Sequence, residues 1–183
     1  MLDIKRVITI LIIILLIIFA VWGVYNFFVK DKEVDFVEYV PQEEISEEQM
    51  RQTMVSLYFK SGEKLVPEAR LIDVKELLNN PYEEILKMLL EGPKNSNLEK
   101  TISEGTKINK IEKKDDCLII DFSNEFIENH KGGELEEKLT INSIVNTVTE
   151  LTEINKIKIL INGEENKEFK DGKINFKNVF ERN

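Results

Sequence analysis

The sequence predicts an α+β fold behind a membrane-spanning helix, with a mixed sheet and two helices packed on one of its faces. Three observations predict it. The N-terminal region holds 23 consecutive uncharged residues, Val7 to Val29. Beyond it, apolar residues recur at every second position in several short segments, as half-buried strands require. Between those segments, two longer stretches space their apolar residues three and four apart, as amphipathic helices require. The order is roughly β-β-α-β-β-α-β-β. A chain of 183 residues suffices for one domain with a real core plus an appendage.

The N-terminal run comes first. Residues 1–6 make a short tail and residues 7–29 a transmembrane anchor. At about 1.5 Å of rise per residue, this run crosses a hydrocarbon core of roughly 30 Å. Trp22, Tyr25, Phe27 and Phe28 crowd its far end, where amphipathic rings favour the headgroup region. The run exceeds the about 7–15 apolar residues of a signal peptide, and bulky rings stand where small residues would mark cleavage. No cysteine lies nearby to carry a lipid. The expectation is an uncleaved anchor. Lys5 and Arg6 flank one end and Lys30 and Lys32 the other, so positive-inside counting ties. The short tail favours a cytoplasmic N-terminus and an extracytoplasmic C-terminal domain.

Residues 30–52 are acidic with few apolar anchors, and read as a solvated juxtamembrane linker with a short helix after Ser46. The globular domain takes residues 53–183. "TMVSLYF" places Val55, Leu57 and Phe59 on one side of a first strand. "SGEK" turns, and "LVPEARLIDV" is a less regular second strand whose Pro67 favours a sheet edge. In "NNPYEEILKMLLEGPKN", Asn80 is the expected helix cap, Pro81 the first helical residue, and Glu83 stands three residues after the cap. Tyr82, Ile85, Leu86 and Leu89 form the stripe that covers a sheet. Gly92 suits the left-handed residue after a helix, and Pro93 forbids another turn. The stretch lacks the second glycine and the Gly-Lys-Ser/Thr ending of a phosphate loop, so it stops a helix and binds no phosphate.

"TKINKIEK" and "CLIIDF" flank "KDD" as a hairpin, with Leu118, Ile120 and Phe122 toward the core. Asp121 is a carboxylate in an apolar strand, expected to bind nearby backbone near the strand end, as Ser123 and Asn124 do in the turn after it. "NHKGG" is a loop that exposes His130. From Glu134, Leu135, Leu139, Ile144, Val145, Val148 and Leu151 recur at near-helical spacing, with Glu134, Glu136 and Glu137 at the positive end of the dipole. Asn142, Asn146 and Thr149 form a polar stripe, read as solvated. "NKIKILING" is a strand through Ile157, Ile159 and Ile161. "KEF", a turn at Asp171–Gly172 and "KINF" make a last hairpin.

Catalytic equipment is scarce. The net charge is −9 with acids interleaved throughout, which disfavours nucleic acid. One histidine and one cysteine cannot furnish a usual zinc site. "KKDDC" and "EELEEK" lack calcium-loop spacing. Cys117 cannot form an intramolecular disulfide and reads as a small core residue. Among 34 acids no pair is singled out for hydrolysing a glycan. No metal, no cofactor and no enzymatic activity are expected.

"SLYF", "LLEGP", "SEGTKI", "LIIDFS" and "SIVNTVTEL" followed by "INKIKILING" occur in the order of a GerM domain. The chain resembles that family over about Val55 to Phe180. The match falls on Leu90, Gly92 and Pro93, on Gly105 and Thr106, on Asp121, Phe122 and Ser123, on Thr147, and on Gly163. The resemblance implies that these positions define the fold, which is similar to the ring-building domains of sporulation complexes. It departs in two respects. Ile102–Ser103 stands where the family has Ile-Pro, and a transmembrane helix with one domain stands where sporulation members carry a lipidated cysteine and two. The resemblance implies a Gram-positive envelope module of sporulation or germination that works by protein interaction. Its expected partners are envelope or sporulation-complex proteins, with self-association open and contact with peptidoglycan also open. A wall- or small-ligand-binding accessory domain is the alternative, and a wall hydrolase the third reading.

Overall fold

The computed structural model describes residues 4–28, 51–170 and 173–182. The chain divides into two units, Met1–Glu44 and Ile45–Asn183. In the first, helix α1 (Ile4–Phe28) is continuous, and its segment Ile8–Phe27 is long and apolar enough to cross a membrane, with no part buried. The expected linker, with its short helix after Ser46, lies outside the described residues as far as residue 50.

The second unit opens on a hairpin of β1 (Gln52–Ser61) and β2 (Lys64–Asp73), paired residue for residue from Gln52↔Asp73 to Ser61↔Lys64. Gly62, at φ +64°, occupies the first position of the two-residue turn, where tight hairpins need a positive φ. Alternation along β1 buries Leu57 and Phe59 completely and leaves Val55 half-buried, as expected. β2 pairs only with β1, so Pro67 does sit on an edge strand, and the strand is regular throughout.

Two helices follow where one was expected. α2 (Val74–Asn79) is capped by Asp73, whose Oδ1 accepts the Lys75 N–H at 2.7 Å. Its last turn ends at Asn80, whose own N–H donates to the Glu76 carbonyl. Asn80 therefore sits between two helices, and its side chain makes no cap bond to α3 (Pro81–Glu91). The expected cap fails because the residue's backbone is already closing α2. The expected stripe is present: Ile85, Leu86 and Leu89 are buried and Tyr82 half-buried.

The remaining strands form a four-stranded sheet in the order β3-β4-β5-β6, distinct from the first hairpin. β3 (Ile108–Lys114) and β4 (Cys117–Phe122) are antiparallel, with a bulge between Ile108 and Lys110. β4 runs parallel to β5 (Lys156–Ile161), in register from Cys117↔Lys156 to Phe122↔Ile161. Leu118, Ile120, Phe122, Ile157, Ile159 and Ile161 are all fully buried on one face. Cys117, on the opposite face, is only half-buried, which corrects its reading as a core residue. The crossover between these strands carries the short helix α4 (Glu125–Glu128) and the long α5 (Glu134–Val148).

α5 buries Leu139, Ile144, Val145 and Val148, whereas Leu135 is 43 % exposed. The apolar face therefore begins one turn later than the spacing suggests. Glu137 is fully buried, and its Oε2 accepts the Ile174 N–H at 3.1 Å. α5 packs on β1 and α3, so the helices cover the hairpin side of the core. The last hairpin shrinks to one bridge, Glu168↔Asn175, and its turn at Asp171–Gly172 lies outside the described residues. It instead delivers Phe169 and Phe176 to the core, against Phe126 at centroid separations of 5.5 and 6.0 Å. The chain then adds the two-residue β6 (Phe180–Glu181) beside β5.

Candidate functional site

The family-signature positions do not converge on one cleft. Gly92 ends α3 with φ +98° and ψ −178°, a positive φ as expected but an extended ψ rather than the left-handed helical one. Its carbonyl accepts the Arg70 Nη2 at 2.6 Å. Arg70 is 5 % exposed and lies against the Glu68 carboxylate. That carboxylate also accepts the N–H groups of Lys94 and Asn95, at 3.1 and 2.8 Å. The loop after α3 does therefore hold an anion, and the anion is the protein's own. Burial alone would push the Glu68 carboxyl up. The Asn95 and Lys94 N–H groups and the Arg70 guanidinium outweigh it and hold the carboxyl below its ordinary range.

A second group of signature residues gathers at the carboxyl ends of β4 and β5. Asp121 Oδ1 accepts the Gly163 N–H at 2.9 Å, and Gly163 takes φ +80°. Ser123 Oγ accepts the Lys107 N–H at 2.9 Å, while the Ser123 N–H donates to the Lys107 carbonyl. Thr106 Oγ1 donates to the Ser103 carbonyl at 2.7 Å. Gly105, at φ +81°, lies close to Glu125 and Asn129. Phe122 stacks on Phe126 at 4.7 Å with nearly parallel rings. Asp121 thus binds backbone near the end of its strand as expected, although that backbone is Gly163 after β5 and not its own turn, while the Asn124 side chain binds the Glu128 carboxylate rather than backbone.

The third feature is a row of hydroxyls on α5, of which the sequence singled out Thr147 and missed Thr140 and Ser143. Thr140, Ser143 and Thr147 are all buried, three and four residues apart. Ser143 Oγ donates to the Tyr58 carbonyl at 2.6 Å, and the Tyr58 N–H donates to Thr147 Oγ1 at 3.0 Å. Thr101 Oγ1 then donates to Ser143 Oγ at 2.7 Å, because the Ser143 proton is already committed. Thr140 Oγ1 donates to the Thr101 carbonyl at 2.7 Å. At Tyr58 and Lys60 the outer edge of β1 is thereby satisfied without another regular strand: helix hydroxyls serve Tyr58, and Glu99 bridges Lys60. The signal was legible as three small hydroxyl residues at helical spacing among apolar neighbours. Asn142, Asn146 and Thr149, the expected polar stripe, are half-buried beside this row.

His130 corrects another expectation. It is 8 % exposed, not a surface residue. Its ring lies 4.3 Å from that of Phe169. Nδ1 accepts the Gly132 N–H at 3.0 Å, so Nε2 carries the proton and donates to Thr140 Oγ1 at 2.9 Å. The loop turns inward because its glycines, Gly132 at φ +79° and Gly133 at φ +94°, permit the fold-back into α5.

Among the concave surfaces of the described residues, two adjoin these groups. One, of about 360 Å³, lies beside His130 and is walled by Thr101, Ser103, Asn129 and Glu136. Lys60 reaches its Glu136 at 2.5 Å. The other, of about 440 Å³, is a groove between α3 and β3, lined by Glu83, Lys87 and Leu90 on the helix, by Lys107 just before the strand and by Ile108 to Ile111 on it. Among the described residues, no group of three or more His, Cys, Asp or Glu side chains is placed to hold a metal.

The family model described as Germane, sporulation and spore germination, matches residues 56–167. The first GerMN domain of the sporulation protein GerM from Bacillus subtilis is similar at 25% identity and a TM-score of 0.55, over 71% of this chain and 98% of that one. The tandem GerMN domains of the same protein share the fold at 23% identity and a TM-score of 0.59, over 73% of this chain. The present chain spans 47% of that tandem structure. A Clostridium perfringens protein described as a lipoprotein aligns at 26% identity and a TM-score of 0.51, over 75% of this chain and 92% of its own. No curated protein matches the chain.

Proposed function

The chain belongs to the Germane family of sporulation and spore germination domains, and from that premise we propose that it is a membrane-anchored, extracytoplasmic module that assembles or localises an envelope protein complex by protein contact, without catalysis. The observation that carries the reading is the joining, on one chain, of the 20-residue apolar segment Ile8–Phe27 to a GerMN-like domain. A helix of that length can hold the domain at the bilayer surface, where an envelope complex is built. The interior of the domain supports a scaffold. Four of its buried polar side chains, His130, Thr140, Ser143 and Thr147, bind the domain's own backbone and one another.

Crosslinking in sporulating cells, followed by purification of the membrane fraction, tests the reading. Recovery of a discrete envelope partner supports it. A protein absent from membranes, or one that crosslinks to nothing, contradicts it. Protease added to intact cells and then to opened membranes tests topology in the same preparation. Digestion of the domain only after the cytoplasmic side is opened contradicts the extracytoplasmic placement.

A further inference from the structure

We propose that the groove between α3 and β3 takes an extended, acidic strand from a protein partner, added to the free edge of β3. The proposal rests on the protein-contact reading above and gives that partner a chemistry. β3 is the outer strand of its sheet, so every second residue turns its N–H and C=O away from β4. Glu83, Lys87 and Leu90, spaced four and three along α3 and therefore on one helix face, wall the groove on one side, and Lys107 to Ile111 wall it on the other. Leu90, Ile108 and Ile111 give the groove an apolar floor, each half-buried and packed against the core. An edge strand facing a helix across an apolar floor is the geometry in which sheets accept a peptide strand: main-chain bonds hold it, and alternate side chains select it.

Charge identifies the occupant. The chain carries 34 acids against 25 basic residues, yet the groove is lined by Lys87, Lys107 and Lys110 against Glu83 alone. β3 adds Lys113 and Lys114, with Glu112 as its single acid. Four of these lysines are engaged in surface pairs: Lys87 with Glu83 and Glu84, Lys110 and Lys114 with Glu112, Lys113 with Glu153. Exposed pairs of this kind are weakly held, and an incoming carboxylate exchanges for them. A lysine-rich edge also selects by rejection. A second copy pairing β3 with β3 would set lysines against lysines, whereas an acidic strand meets the opposite charge. The bulge at Asn109 confines regular pairing to Lys110–Lys114, and Asn109 Nδ2 ties the bulge to Asn162 Oδ1 at 3.2 Å.

The full chain, held in phosphatidylcholine nanodiscs, is titrated with a fluorescein-labelled eight-residue peptide alternating glutamate and valine, and with a lysine–valine peptide as contrast. Saturable anisotropy is expected for the acidic peptide, with binding of the basic one weaker by about tenfold or more. The double substitution Lys107→Glu with Lys110→Glu is expected to weaken the acidic peptide by a similar factor. N-methylation of alternate peptide nitrogens is expected to abolish binding, because it removes the strand donors. Absent binding, equal binding of the two peptides, or indifference to the substitutions or to N-methylation each overturns the proposal. Both lysines are exposed; should the reversed charges lower the melting temperature, Lys107→Gln with Lys110→Gln gives the same readout. Crosslinking of the Lys107→Glu/Lys110→Glu chain in cells separates the two readings. A partner retained in full leaves envelope assembly standing and removes the groove from it.

Discussion

The Glu68 carboxylate accepts the backbone N–H of Asn95 at 2.8 Å, joining the middle of β2 to the loop that ends α3. Lys94 donates to the same carboxylate, and the Arg70 guanidinium lies beside it while also reaching the Gly92 carbonyl. A helix end leaves carbonyls unsatisfied, and the turn after it leaves N–H groups. Here one acid and one cation from a neighbouring strand serve both. Glu68→Ala is expected to cost about 2–3 kcal/mol, because charge-assisted bonds are lost and a buried guanidinium loses its counter-charge. Chemical denaturation of the full chain in mild detergent measures it. A cost under about 0.5 kcal/mol would show that the clamp is idle.

Acid should weaken the same clamp. The Glu68 carboxyl is held below its ordinary range in the folded protein. Its contribution is therefore complete above the unfolded value of about 4.3 and is lost as pH falls through the lower, folded value. Glu68→Gln removes that dependence. Stability curves of the parent and the Gln variant should converge on acidification below about pH 4.3. Parallel curves would mean that the carboxyl is not depressed.

The hydroxyl row predicts an exchange signature. In Thr147→Val the Tyr58 N–H loses its acceptor inside the fold, at a cost of about 1–3 kcal/mol. Thr147→Ser keeps the oxygen and should cost less. Hydrogen exchange at the Tyr58 amide reports the difference directly, with faster exchange expected in the Val variant alone.

Gly92 has a backbone that side chains rarely adopt, with φ +98° and ψ −178°. An added Cβ would also lie 3.4 Å from Lys100 Cδ, a contact that a flexible side chain can relieve. The strain is therefore backbone strain, and Gly92→Ala should cost about 1–3 kcal/mol. Gly92→Ala paired with Lys100→Ala separates the two effects. Recovery on shortening the lysine would assign the cost to crowding instead.

Phe176 closes the core from a segment with almost no regular structure. It meets Phe126 and Phe169 at 6.0 and 5.1 Å and is fully buried. Phe176→Ala should cost about 3–5 kcal/mol, as large-to-small changes in a core do. A melting temperature unchanged by the substitution would place this segment outside the cooperative unit.

What could be read from the chain follows periodicity. Leu57 and Phe59, Leu118 to Phe122 and Ile157 to Ile161 alternate cleanly, because a strand with one buried face must do so. Ile85, Leu86 and Leu89 recur at helical spacing for the same kind of reason. Asp121 was legible as a short acid near a strand end that answers a backbone N–H, but its partner, Gly163, lies 42 residues on and was chosen by packing. The helix stop at Gly92 and Pro93 was written in two residues. Asn80 misled because one asparagine served two helices, and local chemistry does not say which of them claims it.

Sequence alone therefore determined the apolar N-terminal helix, the first five strands, the two principal helices and the family to which their order belongs, but not β6, which stands in place of the expected last hairpin. These depend on spacing within a segment, which the chain carries with it. Tertiary structure decided the rest. It divided the strands into two sheets, turned His130 inward onto Phe169, set the α5 hydroxyls on the edge of β1 and aimed Glu68 at Lys94 and Asn95. It also brought α3 and the start of β3 together around a groove that Lys87, Lys107 and Lys110 line. Each of these joins residues distant in sequence, and a polar group's partner is fixed only when packing has chosen which distant segment comes near enough to satisfy it.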